Sequence, residues 1–258
     1  MILAADIGNT TVVIGLIEND EIITSEKFMT DVSEIEMNYH EKITRMLRNH
    51  GVDKIDGAVI SSVVPLMTGI ISEVISSEYG VTPLVIGAET SADIKIMTDE
   101  PGKVGSDRIA DAVGAVAQYG APLIVIDMGT ATTVSVVNEK KEFIGGMILP
   151  GVRTALHSLI KNTAQLPQIK LSSPPDSLIG KNTAASIESG MIYGTASCID
   201  EICTRLSEEL GFMPQVIATG GNAEKIVPYC RHRIILDKRL LLKGLNIIYK
   251  QYGDRKNA

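Results

Sequence analysis

One short pattern occurs twice, almost half a chain apart. Ala5-Asp6-Ile7-Gly8-Asn9-Thr10-Thr11 is matched by Ile126-Asp127-Met128-Gly129-Thr130-Ala131-Thr132, so Asp6, Gly8 and Thr11 return 121 residues later as Asp127, Gly129 and Thr132. Each copy follows an apolar run (Ile2-Leu3-Ala4-Ala5; Leu123-Ile124-Val125-Ile126) and precedes an extended one (Val12 to Ile17; Val134 to Val137). A repeat of that length in a chain of 258 residues predicts two similar lobes, each contributing one Asp-x-Gly turn to a central cleft. The length suits one large domain or two lobes of about 100–150 residues.

The order of elements along the chain repeats as well. Residues 2–30 read as three successive strands, joined through Gly8-Asn9-Thr10 and through the polar run Glu18-Asn19-Asp20. Ser33 with Glu36 forms a capping-box signal, and Ile35, Tyr39, Ile43, Met46 and Leu47 keep helical spacing until Gly51. Gly57 to Val64 reads as a buried strand, Pro65 opens a helix that runs to Tyr79, and Pro83-Leu84-Val85-Ile86 is another strand. This is the order of a ribonuclease H-like lobe. The second half repeats it with strands at Leu123–Asp127, Thr132–Val137 and Glu142–Met147, the last two joined by Asn138-Glu139-Lys140-Lys141. A helix follows Pro150-Gly151, a long one runs from Ala184 to Leu210, strands follow at Val216–Thr219 and Arg233–Leu236, and Leu240–Tyr252 closes as a helix. Residues 88–104 hold no clear period and read as a loop, a place where function often sits. The expected fold is α/β, two duplicated ribonuclease H-like lobes divided as 1–119, with Gly105–Arg108 as a substrate loop, and 120–258.

Composition removes several classes of partner. A net charge of −7 argues against nucleic acid, which needs clustered Lys and Arg, and 4% aromatics without Trp offers few stacking platforms. No apolar run reaches the roughly 18–20 residues of a membrane span, and the first strand follows Met1 with no basic leader. Cys198, Cys203 and Cys230 form neither a Cys-x-x-Cys pair nor a zinc set, which fits a reducing compartment. The expectation is a soluble, cytoplasmic protein that binds neither membrane nor nucleic acid.

Glycine after a strand-end aspartate lets backbone amides approach phosphate oxygens with no Cβ between. Asn9, Thr10, Thr130 and Thr132 add donors at the same places. Phosphate would repel Asp6 and Asp127 directly, so a cation such as Mg²⁺ belongs between them. Other phosphate motifs are missing: Gly180-Lys181-Asn182 and Gly102-Lys103-Val104 lack the hydroxyl of a P-loop, and no Gly-x-Gly-x-x-Gly follows a strand. The third constellation, Gly105-Ser106-Asp107-Arg108, opens a helix whose apolar face is Ile109, Ala112, Val113 and Val116. Asp107 reads either as an N-terminal cap or as a group that takes a proton from a substrate hydroxyl. Arg108 is unfavourable at the positive end of a helix, so it reads as a holder of an anionic group. Thr219-Gly220-Gly221-Asn222 is either a flat seat for adenosine or an ordinary strand–helix turn, and Thr183 is either a helix N-cap or a substrate contact.

At these residues the chain resembles the acetate and sugar kinase, Hsp70 and actin superfamily, and within it type III pantothenate kinase, along essentially its whole length. The family's Asp-x-Gly-Asn-Thr stands as Asp6 to Thr10 and its Asp-x-Gly-Thr-Ala as Asp127 to Ala131. Gly-x-Asp-Arg stands as Gly105 to Arg108, Gly-Gly-x-Ile-x-Pro-Gly as Gly145 to Gly151, and Gly-Lys-Asn-Thr as Gly180 to Thr183. The resemblance implies ATP-dependent phosphorylation of pantothenate, the first step of coenzyme A synthesis. It makes Asp107 the general base, with Gly105, Ser106, Arg108 and Thr183 on the substrate. It gives ATP to Asp6, Ile7, Gly8, Asn9, Thr10, Thr11, Val12, Val13 and Thr130 and a monovalent cation (K⁺ or NH₄⁺) to Asp127, while the carboxylate chemistry itself assigns Mg²⁺ to Asp6. It also implies a homodimer in which Thr183 acts from the partner chain. The family commonly has a Tyr shortly before the loop proline, where Met97-Thr98-Asp99-Glu100 precede Pro101 here. A kinase for another small hydroxy acid, a non-catalytic nucleotide-binding regulator and a phosphohydrolase of the same fold are the competing readings.

Overall fold

The two Asp-x-Gly patterns lie at the ends of equivalent strands in a computed structural model that describes residues 1–31, 36–90, 93–171 and 177–257. The expected capping box rests on Ser33, which lies outside the described residues. By its contacts the chain forms two compact units, Met1–Gln118 with Lys141–Phe143 and Arg239–Ala258, and Tyr119–Lys140 with Ile144–Lys238.

In the first unit the strands β1 (Ile2–Ile7), β2 (Thr11–Glu18), β3 (Glu21–Met29), β4 (Gly57–Ser62) and β5 (Leu84–Val85) form one sheet in the order β3-β2-β1-β4-β5. β1 runs antiparallel to β2 and parallel to β4. The β2–β3 hairpin turns through Asn19 (φ 49°) and Asp20 (φ 70°), the two left-handed residues that a tight hairpin with the right twist requires. Helices α1 (Glu36–Asn49) and α2 (Pro65–Tyr79) cover one face, where Leu3, Ile7, Ile14 and Ile60 meet Tyr39, Ile43, Met67 and Ile71. Pro65 at the first position and left-handed Gly80 at the C-cap set the limits of α2, as the sequence predicts.

The second unit repeats this plan. β7 (Leu123–Met128), β8 (Ala131–Val137), β9 (Glu142–Pro150), β10 (Gln215–Thr219) and β11 (Ile234–Leu236) follow the order β11-β10-β7-β8-β9, with β7 antiparallel to β8 and parallel to β10. Helices α4 (Val152–Lys161) and α5 (Thr183–Leu210) cover it, packing Leu156, Ile192, Ile199 and Leu206 against Ile124, Ile126 and Val134. The four-residue α6 (Ala223–Ile226) follows β10. Each unit is therefore a ribonuclease H-like sheet with its Asp at the end of the central strand.

Two features depart from the sequence reading. The loop of residues 88–104 contains a short strand, β6 (Lys95–Ile96), paired parallel with Glu142 and Phe143 at the start of β9. Two residues are too few to show a period. The closing helix α7 (Leu240–Asn257) groups with the first unit, whereas the division at 119/120 gave it to the second half. It packs with α3 (Ser106–Tyr119) and the first sheet through glycines: a Cβ on Gly114 would lie 2.6 Å from the Leu240 carbonyl oxygen, and one on Gly15 2.9 Å from Leu242 Cδ1.

Candidate active site

The first Asp-x-Gly turn closes on itself and is fastened from β3. The Gly8 amide donates to Thr11 O at 3.0 Å, while Thr30 donates its amide to Thr10 O (2.9 Å) and its hydroxyl to Gly8 O (2.6 Å). Ile7 and Val12 are wholly buried, so only their backbone can serve a ligand, whereas Asn9 and Thr10 are exposed. A Cβ at Gly8 would meet Thr11 O at 3.2 Å and one at Gly129 nothing nearer than 3.5 Å. Packing thus presses on Gly8 through one backbone carbonyl and makes little demand for glycine at Gly129.

Asp6 lies between Val13 and Ser61 in the sheet register. Ser61 Oγ donates to Asp6 Oδ1 at 3.1 Å and shares a 3.0 Å hydrogen bond with Ser106 Oγ. Ser106 Oγ also accepts from the Ser62 amide at 2.9 Å. Ser61 and Ser106 are 0% and 6% exposed, and a buried hydroxyl left unpaired would cost about 1–3 kcal/mol. The chain of hydroxyls therefore ties Asp6 to the start of α3. Sequence reading missed Ser61; the signal was a pair of serines ending an otherwise apolar strand.

Gly105 opens α3, its carbonyl accepting from the Ile109 amide at 3.1 Å. Asp107 is the second helical residue, and its Oδ1 accepts from the Arg108 amide at 2.8 Å. That bond satisfies one of the amides the first helical turn leaves without a helical partner, and the carboxyl group keeps lone-pair sites for a further donor. A Cβ at Gly105 would stand 2.5 Å from Asp107 Oδ1, so glycine is what leaves that side chain its place. Arg108 is half-buried, with its guanidinium carbon 5.1 Å from the centre of the Phe143 ring. Burial lowers its pKa and the Asp107 charge works the other way; arginine stays charged throughout the working range.

The second turn is held by backbone and amide groups and by one hydroxyl, that of Thr154. Gly129 N donates to Ala131 O at 2.9 Å, and Asp127 lies between Thr133 and Thr219. Buried Asn222 directs its side-chain amide to the carbonyls of Met128 and Gly129, both at 3.1 Å. Exposed Thr130 is gripped by the start of α4, its carbonyl accepting from the Gly151 amide (3.0 Å) and the Thr154 hydroxyl (2.6 Å). Gly220 has φ 89°, and a Cβ there would collide with Asp127 Oδ1 and lie 2.6 Å from Met128 N. The Gly-Gly junction is therefore shaped by its contact with Asp127.

The N-cap of α5 is Asn182, whose side chain accepts from the Ala185 amide at 2.9 Å, which corrects the reading of Thr183 as the cap. Thr183 is the first helical residue and is exposed. Gly180 packs so closely on the first turn of α5 that a Cβ would collide with Ser186 N.

A cavity of about 780 Å³ opens in the second unit between α4 and residues 168–171. Arg153, His157, Lys161, Lys170 and Lys225 line it beside Leu156, and Lys225 Nζ donates to the Leu171 carbonyl. Its walls spring from the elements that grip the second turn, α4 through Thr130 and α6 through Asn222.

Among the described residues, no group of three or more His, Cys, Asp or Glu gathers as a metal cluster, and no helix is long and apolar enough to cross a membrane.

Likeness to known proteins agrees with this geometry. A family model described as type III pantothenate kinase matches residues 2–205. Type III pantothenate kinases of Moorella thermoacetica and Halalkalibacterium halodurans are 38% and 37% identical over 253 residues, covering 97% of this chain and 99% of each relative. The solved structure of ethanolamine utilization protein EutJ from Carboxydothermus hydrogenoformans aligns with a TM-score of 0.57 and 14% identity over 95% of this chain and 88% of its own. At that identity the likeness concerns the fold alone. The full-length matches and the motifs at both turns and at α3 establish that the chain belongs to the type III pantothenate kinase family.

Proposed function

We propose that this protein transfers the γ-phosphoryl group of ATP to the hydroxyl of pantothenate, giving 4′-phosphopantothenate for coenzyme A synthesis. The observation that carries this reading is the Asp107–Arg108 pair at the start of α3, tied through Ser106 and Ser61 to Asp6. Phosphoryl transfer asks a protein mainly for positioning and charge stabilisation. Asp107 takes the proton of the attacking hydroxyl, Arg108 holds the pantothenate carboxylate, and Gly105 and Thr183 touch the same substrate. Ser106, whose hydroxyl is engaged by Ser61 and Ser62, serves the substrate by fixing the helix start.

ATP belongs to residues 6–13 and Thr130, where the glycine turns leave backbone open to phosphate. The basic cavity beside the second turn supports a nucleoside end lying in the second unit, and its volume suits a small organic ligand. Mg²⁺ takes one or two carboxylates and completes its shell with water and substrate phosphate, a set that Asp6 fits without a metal cluster. When bound, it offsets the charge of the phosphates. Asp127, beside Thr133 and Thr219, suits a monovalent cation such as K⁺ or NH₄⁺. A cytoplasmic homodimer accords with the family, and exposed Leu178 (65%) and Ile179 (76%), just ahead of Thr183, are apolar surface for a second copy.

Purified protein given ATP, Mg²⁺, K⁺ and pantothenate should form phosphopantothenate, detected by mass spectrometry. Asp107→Asn should lower kcat by about 10²–10⁴, the usual worth of a general base. Full turnover in that variant would remove Asp107 from the reaction.

A further inference from the structure

Phe143 is an aromatic residue in a chain with three Phe and no Trp, and its ring is 1% exposed. It stands at the second position of β9, where the hairpin tip Lys141–Phe143 joins the first unit. Its backbone is fixed by β6: Ile96 is its partner in register, and the Met97 amide donates to its carbonyl at 2.8 Å. With backbone and ring both held, the ring offers a rigid face to the Arg108 guanidinium 5.1 Å away, within the range of a cation–π contact.

Arg108 needs such a seat. It is a long side chain in the first turn of a helix, where the dipole disfavours a cation, and burial acts against its charge. The Asp107 carboxylate and the negative face of the Phe143 ring both work against this. A guanidinium recognises a carboxylate through a planar fork of donors, and recognition sharpens when the plane is set before the ligand arrives. A rigid ring 5.1 Å from the guanidinium carbon limits how that plane can turn.

We infer that Phe143 is a positioning residue for the acceptor, its ring holding the Arg108 guanidinium in the plane that meets the substrate carboxylate and so setting affinity for acidic acceptors. This rests on the reading of Arg108 as the carboxylate holder. It gives the β8–β9 hairpin a part in choosing the acceptor that none of the motifs around Asp6, Asp107 or Asp127 contains.

The test compares pantothenate with pantothenol, in which an alcohol replaces the carboxylate, as acceptors for wild type, Phe143→Leu and Phe143→Tyr. Phe143→Leu should raise the KM for pantothenate about tenfold, as expected for losing a desolvated cation–π contact. Its kcat, its KM for ATP and its KM for pantothenol should stay near the wild-type values, and Phe143→Tyr should restore the pantothenate KM. An equal rise for both acceptors, or a fall in kcat alone, would overturn the inference by showing a merely structural ring. A wild type that does not prefer pantothenate to pantothenol would overturn the role of Arg108 and the inference with it. A wild-type preference that survives in Phe143→Leu would overturn the inference alone. Should Phe143→Leu fail to fold by circular dichroism, Phe143→Met gives the same contrast; failure of both would make the ring a core requirement and end the proposal.

Discussion

Asp6 and Asp127 occupy the same place in two copies of one strand order, yet their neighbours differ in kind. Asp6 is bonded by a hydroxyl, Ser61, which passes the connection to Ser106 and the start of α3. Asp127 has the bare Gly220 pressed against it, and its turn is gripped by Asn222, Gly151 and Thr154. Duplication fixed where the carboxylates sit. The elements packed beside them made the two unlike. The first is tied to the helix that carries Asp107, the second to the elements around the basic cavity.

Substitutions can break this contrast at either end. The largest effect on stability is expected at Gly220→Ala, which forces a side chain into a left-handed backbone and against Asp127. The cost should be roughly 1–3 kcal/mol, read as a lower thermal midpoint, with a raised KM for ATP. Gly8→Ala should cost less stability, since its Cβ would meet one carbonyl at 3.2 Å; an equal loss at both would deny that the second turn is the more tightly packed.

Next in size is Ser106→Ala, which leaves Ser61 Oγ and the Ser62 amide without a shared partner. About 1 kcal/mol of stability should go with it. If Ser106 couples Asp6 to the acceptor helix, the kinetics for pantothenate should worsen along with those for ATP. A change confined to stability would dissolve that link.

The smallest effect concerns pH. Burial, followed by the hydrogen bond to Asp237, pushes Tyr119 up to about 12, and burial pushes Cys203 to about 11 and Cys230 to about 12. All three lie in the second unit. Raised pKa values mean that the folded state holds its protons more tightly, so this contribution is whole below about pH 9 and is lost as pH rises toward 11–12. Hydrogen exchange followed from pH 8 to 10.5 should show β10 losing protection before β4. Tyr119→Phe should flatten the alkaline decline in urea midpoints; an unaltered slope would clear Tyr119 of any part in it.

Much of the fold was legible because its signals are local. Pro65 and Gly80 bracket α2, Asn19-Asp20 suits the hairpin, and the Asp-x-Gly repeat marks both central strands. The candidate site was legible as local geometry where motif residues are neighbours, as Gly105, Asp107 and Arg108 are at the start of one helix. Elsewhere the signal was ambiguous by a residue: Asn182 and Thr183 are both good caps, and only the bond to the Ala185 amide decides between them. Ser61 and Phe143 were missed because their importance depends on partners 45 and 35 residues away, Ser106 and Arg108. The amphipathic pattern of α7 told that it is a helix but not which unit it joins.

By itself, then, the sequence determined the duplicated plan, the two Asp-x-Gly turns and the place of Asp107 and Arg108 in the first turn of a helix, because strand pattern, glycine and first-turn chemistry act over a few residues. Tertiary structure alone decided that Asp6 is tied to α3, that Gly220 closes on Asp127, and that Phe143 lies under Arg108. Those are contacts between side chains or backbones distant in sequence, and packing, which no local period encodes, is what brings them together.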